Sequence, residues 1–146
     1  MEFFKESFTI STEKTKLDIN VIHHFLANDS YWAKNIPLSV VCKSIENSLC
    51  FGVYTGKEQI GFARVITDYA IVAYLADVFI LDAYRGKGLG KWLVECIVNY
   101  PDLQGLRVWK LTTRDAHGLY AKFGFKPLGR PEYQMEIIKP DVYTRP

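Results

Sequence analysis

Cysteine is scarce in this chain of 146 residues: Cys42, Cys50 and Cys96 are the only three. Their number is odd, their surroundings are apolar and no CxxC spacing occurs, so neither a disulfide framework nor a zinc site is expected. Free thiols in a reducing cytoplasm are the simpler expectation. A long apolar run is also missing. No stretch approaches the roughly 18 apolar residues of a membrane span, and the N-terminus MEFFKESFTIS lacks the basic start and apolar centre of a leader. No membrane partner is expected, and a cytoplasmic protein is. An excess of one charge is absent too. The formal net charge is only +2 and Lys and Arg are scattered, which leaves no nucleic-acid footprint.

What the chain does have is apolar and aromatic side chains, 49% and 14% of all residues. That is enough to bury one core but hardly two, so residues 1–146 read as a single domain. Residues 8–11 form a short β-prone stretch. Residues 17–26 recur at i, i+3, i+4 as an amphipathic helix does, with Asp18 placed to cap it. Pro37 suits the first turn of a second helix continuing over 39–47. Residues 49–54 and 60–67, joined by TGKEQ, have the pattern of a β-hairpin. The run 71–81 (IVAYLADVFIL) predicts a central strand buried on both faces, with Asp77 its only charge. A helical stripe of Leu89, Leu93, Cys96, Ile97 and Tyr100 stops at Pro101. A strand over 108–112, a short helix over 117–123 ended by Gly124, and two last strands over 125–128 and 133–138 complete the chain. This order indicates an α+β sheet covered by helices.

One segment promises chemistry. Between the apolar strand and the amphipathic helix runs DAYRGKGLGKW, residues 82–92. Its glycines let the backbone turn tightly and approach a ligand, and the free N–H groups and positive dipole end of the helix attract an anion. Arg85, Lys87 and Lys91 add charge beside Gly86, Gly88, Leu89 and Gly90. The register is RxxGxG, which fits neither a P-loop nor the dinucleotide fingerprint. A glycine-rich turn with a solvated basic helix start remains the plainer alternative for this segment alone. A second segment, TTRDAHGLYAKFGF at 112–125, carries Ala116, Leu119, Tyr120, Lys122, Gly124 and Phe125 in the pattern AxxLYxKxGF.

Together, in this order and about thirty residues apart, the two blocks resemble the GNAT superfamily of N-acetyltransferases. The order of strands and helices resembles that fold over nearly the whole chain. The resemblance implies a mixed, mostly antiparallel central sheet with splayed central strands, flanked by helices in three α/β/α layers. It implies acetyl-CoA as cofactor and an acyl-CoA-dependent transfer to a primary amine of a small molecule or peptide. The residues from Arg85 to Lys91 would grip the pyrophosphate. Phe79 and Ile80, ending the strand before the turn, would pair their backbone with the pantetheine arm as a sheet edge pairs with an added strand. Thr113 stands where many relatives carry an asparagine near the pantetheine. Tyr120 occupies the position of the tyrosine that protonates the departing thiolate. Relatives also pair through their C-terminal strands, so a homodimer is an expectation.

The proton lost by the amine needs an acceptor. Asp77, nearest the reaction centre, serves equally as that base or as the partner of a backbone N–H or of Arg64; ordered water is the alternative, and Tyr74 stands where some relatives carry glutamate. His23, His24 and His117 are weaker candidates, and Asp115 reads as a helix N-cap. For the acceptor, Tyr31 and Trp32 with Asp68 and Tyr69 would form an aromatic site with one acid for a cationic amine; packing onto the core is the alternative. Two rival functions remain at this point: a catalytically idle acyl-CoA sensor, and a partner-binding α+β domain with a decorative basic turn.

Overall fold

The strand signals of the first half build one continuous sheet in the computed structural model, which describes residues 1–143; the last three residues of the 1–146 span lie outside the described residues. Strand β1 (Glu2–Lys5) pairs antiparallel with β2 (Phe8–Ser11), in register from Glu2↔Ser11 to Lys5↔Phe8. Antiparallel ladders continue through β3 (Leu49–Thr55), β4 (Glu58–Thr67) and β5 (Val72–Ile80). Strand β6 (Val108–Leu111) joins β5 in parallel, so the sheet order is β1-β2-β3-β4-β5-β6. The parallel step needs a crossover, which helix α3 (Leu89–Val98) supplies.

Each face of the sheet has its own core, because alternate strand residues point to opposite sides. Phe51 belongs to a cluster with Ile10, Val53, Leu93 and Ile97, under α3 and the short helix α4 (His117–Ala121). Its neighbour Cys50 belongs to a second cluster with Ile22, Val41, Phe62 and Phe79, under α1 (Ile19–His24) and α2 (Leu38–Glu46). Burial of each such Leu, Ile or Phe contributes about 1.5–3 kcal/mol, and these two sets hold the three layers together.

Two features of β5 position the site. Its ladder with β6 runs only from Val72↔Val108 to Leu75↔Leu111, so beyond Leu75 the strand is paired, among the described residues, with β4 alone. The expected burial of 71–81 on both faces is therefore corrected: Ala73 and Leu75 are buried, but Ala76, Asp77 and Val78 are half-buried where β6 has diverged. Within that stretch Phe62 opposes Phe79 and Arg64 opposes Ala76, which sets Asp77 and Val78 against Ala63 alone. This is a β-bulge, with Asp77 at φ 55°, a region aspartate tolerates better than most residues.

Other sequence expectations are adjusted. The helix over 17–26 is shorter: α1 gives way at Phe25–Asp29 to a wide π turn closed by Ser30 N–H donating to the Phe25 carbonyl at 2.9 Å. Asp18 caps α1, accepting from the Val21 N–H at 3.2 Å, and Pro37 sits at the cap of α2 rather than in its first turn. Strand β1 is an addition. The strands expected over 125–128 and 133–138 do not form: these residues are irregular apart from a 3-10 turn, Pro131–Tyr133. Their β propensity finds no ladder among the described residues, and propensity without a partner strand does not make a sheet. Among the described residues no helix is long and apolar enough to cross a membrane.

Candidate active site

The turn after β5 is built by backbone angles that only glycine adopts readily. Gly86 and Gly88 have φ of 81° and 79°, and a Cβ at either would meet nothing within 4 Å, so conformation rather than space demands glycine there. Gly88 is the cap of α3, and its carbonyl accepts from the Trp92 N–H at 3.0 Å. The N–H groups of Leu89, Gly90 and Lys91, in the first helical turn, have no intrahelical acceptor. Arg85, which also lines the cleft, braces the turn: its Nε donates to the Ile80 carbonyl at 3.0 Å and its Nη1 pairs with Asp82 at 2.7 Å.

A cleft of about 540 Å³ opens where β5 and β6 part, lined by Gly86, Gly88 and Gly90 of the turn, Phe79 and Ile80 of β5, and Tyr120 of α4. Both sequence blocks thus face one space. Tyr120 is 9% exposed. Burial first, then the neighbouring Tyr31 and Asp115, pushes its phenol up to about 12, so it is a protonated donor across the working range.

From Phe79 four aromatic rings of the lining follow one another. Phe79 stacks on Phe25 at 3.9 Å and 10°, Phe25 meets Trp32 at 6.3 Å, and Trp32 meets Tyr31 edge-on at 5.0 Å. Arg114 lies 3.9 Å over the Tyr31 ring, and its backbone N–H donates to the Tyr31 hydroxyl at 2.8 Å. This joins the α1–α2 loop to the β6–α4 loop across the cleft.

Asp77 has both carboxylate oxygens engaged. Oδ1 accepts from the Trp32 indole N–H at 2.9 Å and Oδ2 from Arg64 Nε at 2.8 Å, while Arg64 Nη1 donates to Ser48 Oγ at 3.1 Å. Of the two roles open to it in the sequence, the tie to Arg64 is the one the geometry contains.

The profile of an acetyltransferase (GNAT) domain matches residues 46–127. A candidate acetyltransferase of the fungus Gibberella zeae is 32% identical over 87% of this chain and 81% of its own length. Among solved structures, a candidate GNAT-family acetyltransferase from Xanthomonas campestris pv. campestris is 48% identical, covering 94% of this chain and 97% of that one at a TM-score of 0.93. The chain belongs to the GNAT acetyltransferase family. A more distant GNAT acetyltransferase, from Elizabethkingia anophelis, was solved with acetyl-CoA bound; at 15% identity and a TM-score of 0.62, over 84% of this chain and 78% of that one, the likeness is one of fold.

Not every residue singled out in the sequence meets in this GNAT cleft. Asp68 and Tyr69 lie in the turn between β4 and β5, ahead of the start of β5, which by strand rise is about 25 Å from its end. The Asp68 carboxylate accepts the N–H groups of Ile71, Ala70 and Val72, which hold it down at about 2; it closes a turn. Thr113 faces a different groove, and its Oγ1 accepts from the Ala116 N–H at 3.0 Å. That corrects Asp115, which forms no cap: the cap position of α4 is Ala116, and no side chain makes a capping bond from it. Lys87 and Lys91 flank the turn outside the cleft lining. The Tyr74 hydroxyl donates to Thr112 Oγ1 at 2.8 Å, and the His23 and His24 rings contact the Ile36 carbonyl and Asn28. Phe25 and Arg114 enter the site unannounced. In the sequence Phe25 is one more apolar position of a helix stripe, and Arg114 lies 83 residues from the Tyr31 hydroxyl that its backbone N–H reaches.

Proposed function

We propose that this chain transfers an acetyl group from acetyl-CoA to a primary amine by direct attack of the amine on the thioester. The observation that carries this is the single cleft in which the glycine turn, the unpaired end of β5 and Tyr120 face one another. Each has one task. The first-turn N–H groups of α3 and the turn's backbone hold the pyrophosphate, since a helix N-terminus is a ready anion site. The β5 backbone at Phe79 and Ile80, with no strand beside it on the β6 side among the described residues, binds the amide-bearing pantetheine as an added strand, the Ile80 carbonyl being already taken by Arg85 Nε. Acetyl-CoA supplies an activated acyl carbon. Tyr120 donates its proton to the departing sulfur, and its raised pKa keeps the phenol protonated for that step. Asp77, with both oxygens accepting hydrogen bonds, leaves ordered water to take the amine's proton. Tyr31 and Trp32 present an aromatic wall to the acceptor.

A panel of primary amines assayed with acetyl-CoA, read as release of free thiol, tests the reading. Turnover that falls sharply in Tyr120→Phe is expected. Tight coenzyme A binding without turnover on any amine would point to an acyl-CoA sensor, and no coenzyme A-dependent thermal shift would point to a partner-binding domain.

A further inference from the structure

Trp32 lines the cleft from an irregular stretch between the π turn and α2, and it is 41% exposed. A half-open indole on a loop is ordinarily free to change rotamer, yet this one is fixed from the sheet. The one polar atom of its side chain is a donor, and this Nε1–H donates at 2.9 Å to Asp77 Oδ1, 45 residues away. With that N–H taken, the ring borders the cleft as a bare aromatic surface.

Asp77 itself stands outside the cleft lining. Its side chain is 11% exposed and is set by contacts that run away from the site. Arg64 Nε donates to Oδ2 at 2.8 Å, Arg64 Nη1 donates to Ser48 Oγ at 3.1 Å, and the Ser48 hydroxyl donates to the Ser44 carbonyl of α2 at 2.7 Å. A bulged residue leaves the ladder and its side chain is re-aimed, and Asp77, at φ 55° in the bulge of β5, is such a residue. The tie to Arg64 uses Oδ2 alone. Oδ1 is turned to the wall of the cleft.

We propose that Asp77 is a positioning residue for the acceptor amine: through Oδ1 it holds the Trp32 ring where the acceptor is received, and it takes no proton itself. This rests on the transfer reading above and assigns the strand acid a task in it. Trp32 meets Phe25 at 6.3 Å and Tyr31 edge-on at 5.0 Å, so a swing of the indole would break the aromatic row in its middle. A ring whose N–H is taken suits an apolar or cationic part of the acceptor. The network contains no residue of the glycine turn, so binding of acetyl-CoA is expected to be indifferent to it.

A double-mutant cycle on Asp77→Asn and Trp32→Phe, assayed with acetyl-CoA and the best amine of the panel, tests this. Asp77→Asn leaves one carbonyl oxygen for two donors, and Trp32→Phe keeps a ring but loses the N–H. Each is expected to raise the acceptor KM about tenfold with the KM for acetyl-CoA unchanged. The double variant should be no worse than either single one, because both remove the same contact. The Trp32 indole N–H resonance, identified by its loss in Trp32→Phe, should exchange with solvent slowly in the wild type and faster in Asp77→Asn. A fall in kcat with the acceptor KM unchanged in Asp77→Asn would overturn the proposal and make Asp77 the base. Effects on the acceptor KM that add, or an indole N–H that exchanges alike in both proteins, would overturn it too. If Asp77→Asn fails to fold, an unchanged acceptor KM in Trp32→Phe or free exchange of the wild-type indole does so. No turnover of any amine by the wild type would sink the transfer reading and this one with it; turnover with an acceptor KM indifferent to Asp77 would sink this one alone.

Discussion

Tyr120 is under two demands that pull against each other. A strong acid would protonate a thiolate best, yet burial lifts this phenol from its ordinary 10 to about 12, which weakens it as an acid while keeping the proton on it. The sign of the linkage follows: the neutral phenol's contribution to stability is complete below pH 10 and is lost as pH rises through 12. Activity is accordingly expected to show no limb from Tyr120 below about pH 10, and Tyr120→Phe to lower kcat by roughly 10²-fold with little change in KM for acetyl-CoA; pH–rate profiles of both proteins check this. Asp77 calls for a different test. In Asp77→Asn a single carbonyl oxygen must serve two donors, so the amide NH2 faces either the Trp32 indole or Arg64. Asparagine tolerates the left-handed backbone, so the loss falls on the hydrogen bonds. The expected cost is about 2–3 kcal/mol, or a Tm lower by roughly 4–12 °C, read by thermal melts.

At the level of elements, the turn into α3 separates two glycines that look alike in RxxGxG. Gly88 sits at φ 79°, where an added Cβ costs roughly 1–2 kcal/mol. Gly90 lies inside the first turn of α3, where the nearest atom to an added Cβ is Ile80 Cγ1 at 4.0 Å; alanine there gains about 0.5–1 kcal/mol of helix propensity. Urea denaturation should therefore show Gly88→Ala destabilised and Gly90→Ala unchanged or stabilised. Calorimetry should show weaker coenzyme A binding in Gly88→Ala, since the cap it distorts aims the first-turn N–H groups. Strand β5 shows a similar division of labour along its length. Its first half pairs on both sides and anchors the sheet, and its second half, bulged at Asp77 and Val78, keeps one edge free.

The whole molecule can be read through its thiols. Cys50 and Cys96 are buried on opposite faces of the sheet, at 1% and 7% exposure, and burial pushes both up to about 11. Cys42 is only half-buried. At pH 8 the native protein is expected to give one reactive thiol to an aromatic disulfide reagent and three after unfolding; two or more fast-reacting thiols in the native state would contradict the packing described. The same division between local and distant contacts marks what could be read from the chain alone. The α+β class, the β3–β4 hairpin, the β5–turn–α3 unit and the cap by Asp18 were legible, because hydrophobic period, glycine angles and capping are properties of neighbouring residues. The RxxGxG and LYxKxGF blocks named the family for the same reason. Folding alone decided where β6 leaves β5, which way Asp77 is tied, that Phe25 and Arg114 border the cleft while Asp68 and Tyr69 do not, and that 133–138 joins no ladder among the described residues. Those outcomes depend on residues far apart in sequence meeting in space, and no local pattern records which distant group arrives first at a carboxylate, a ring or a free strand edge.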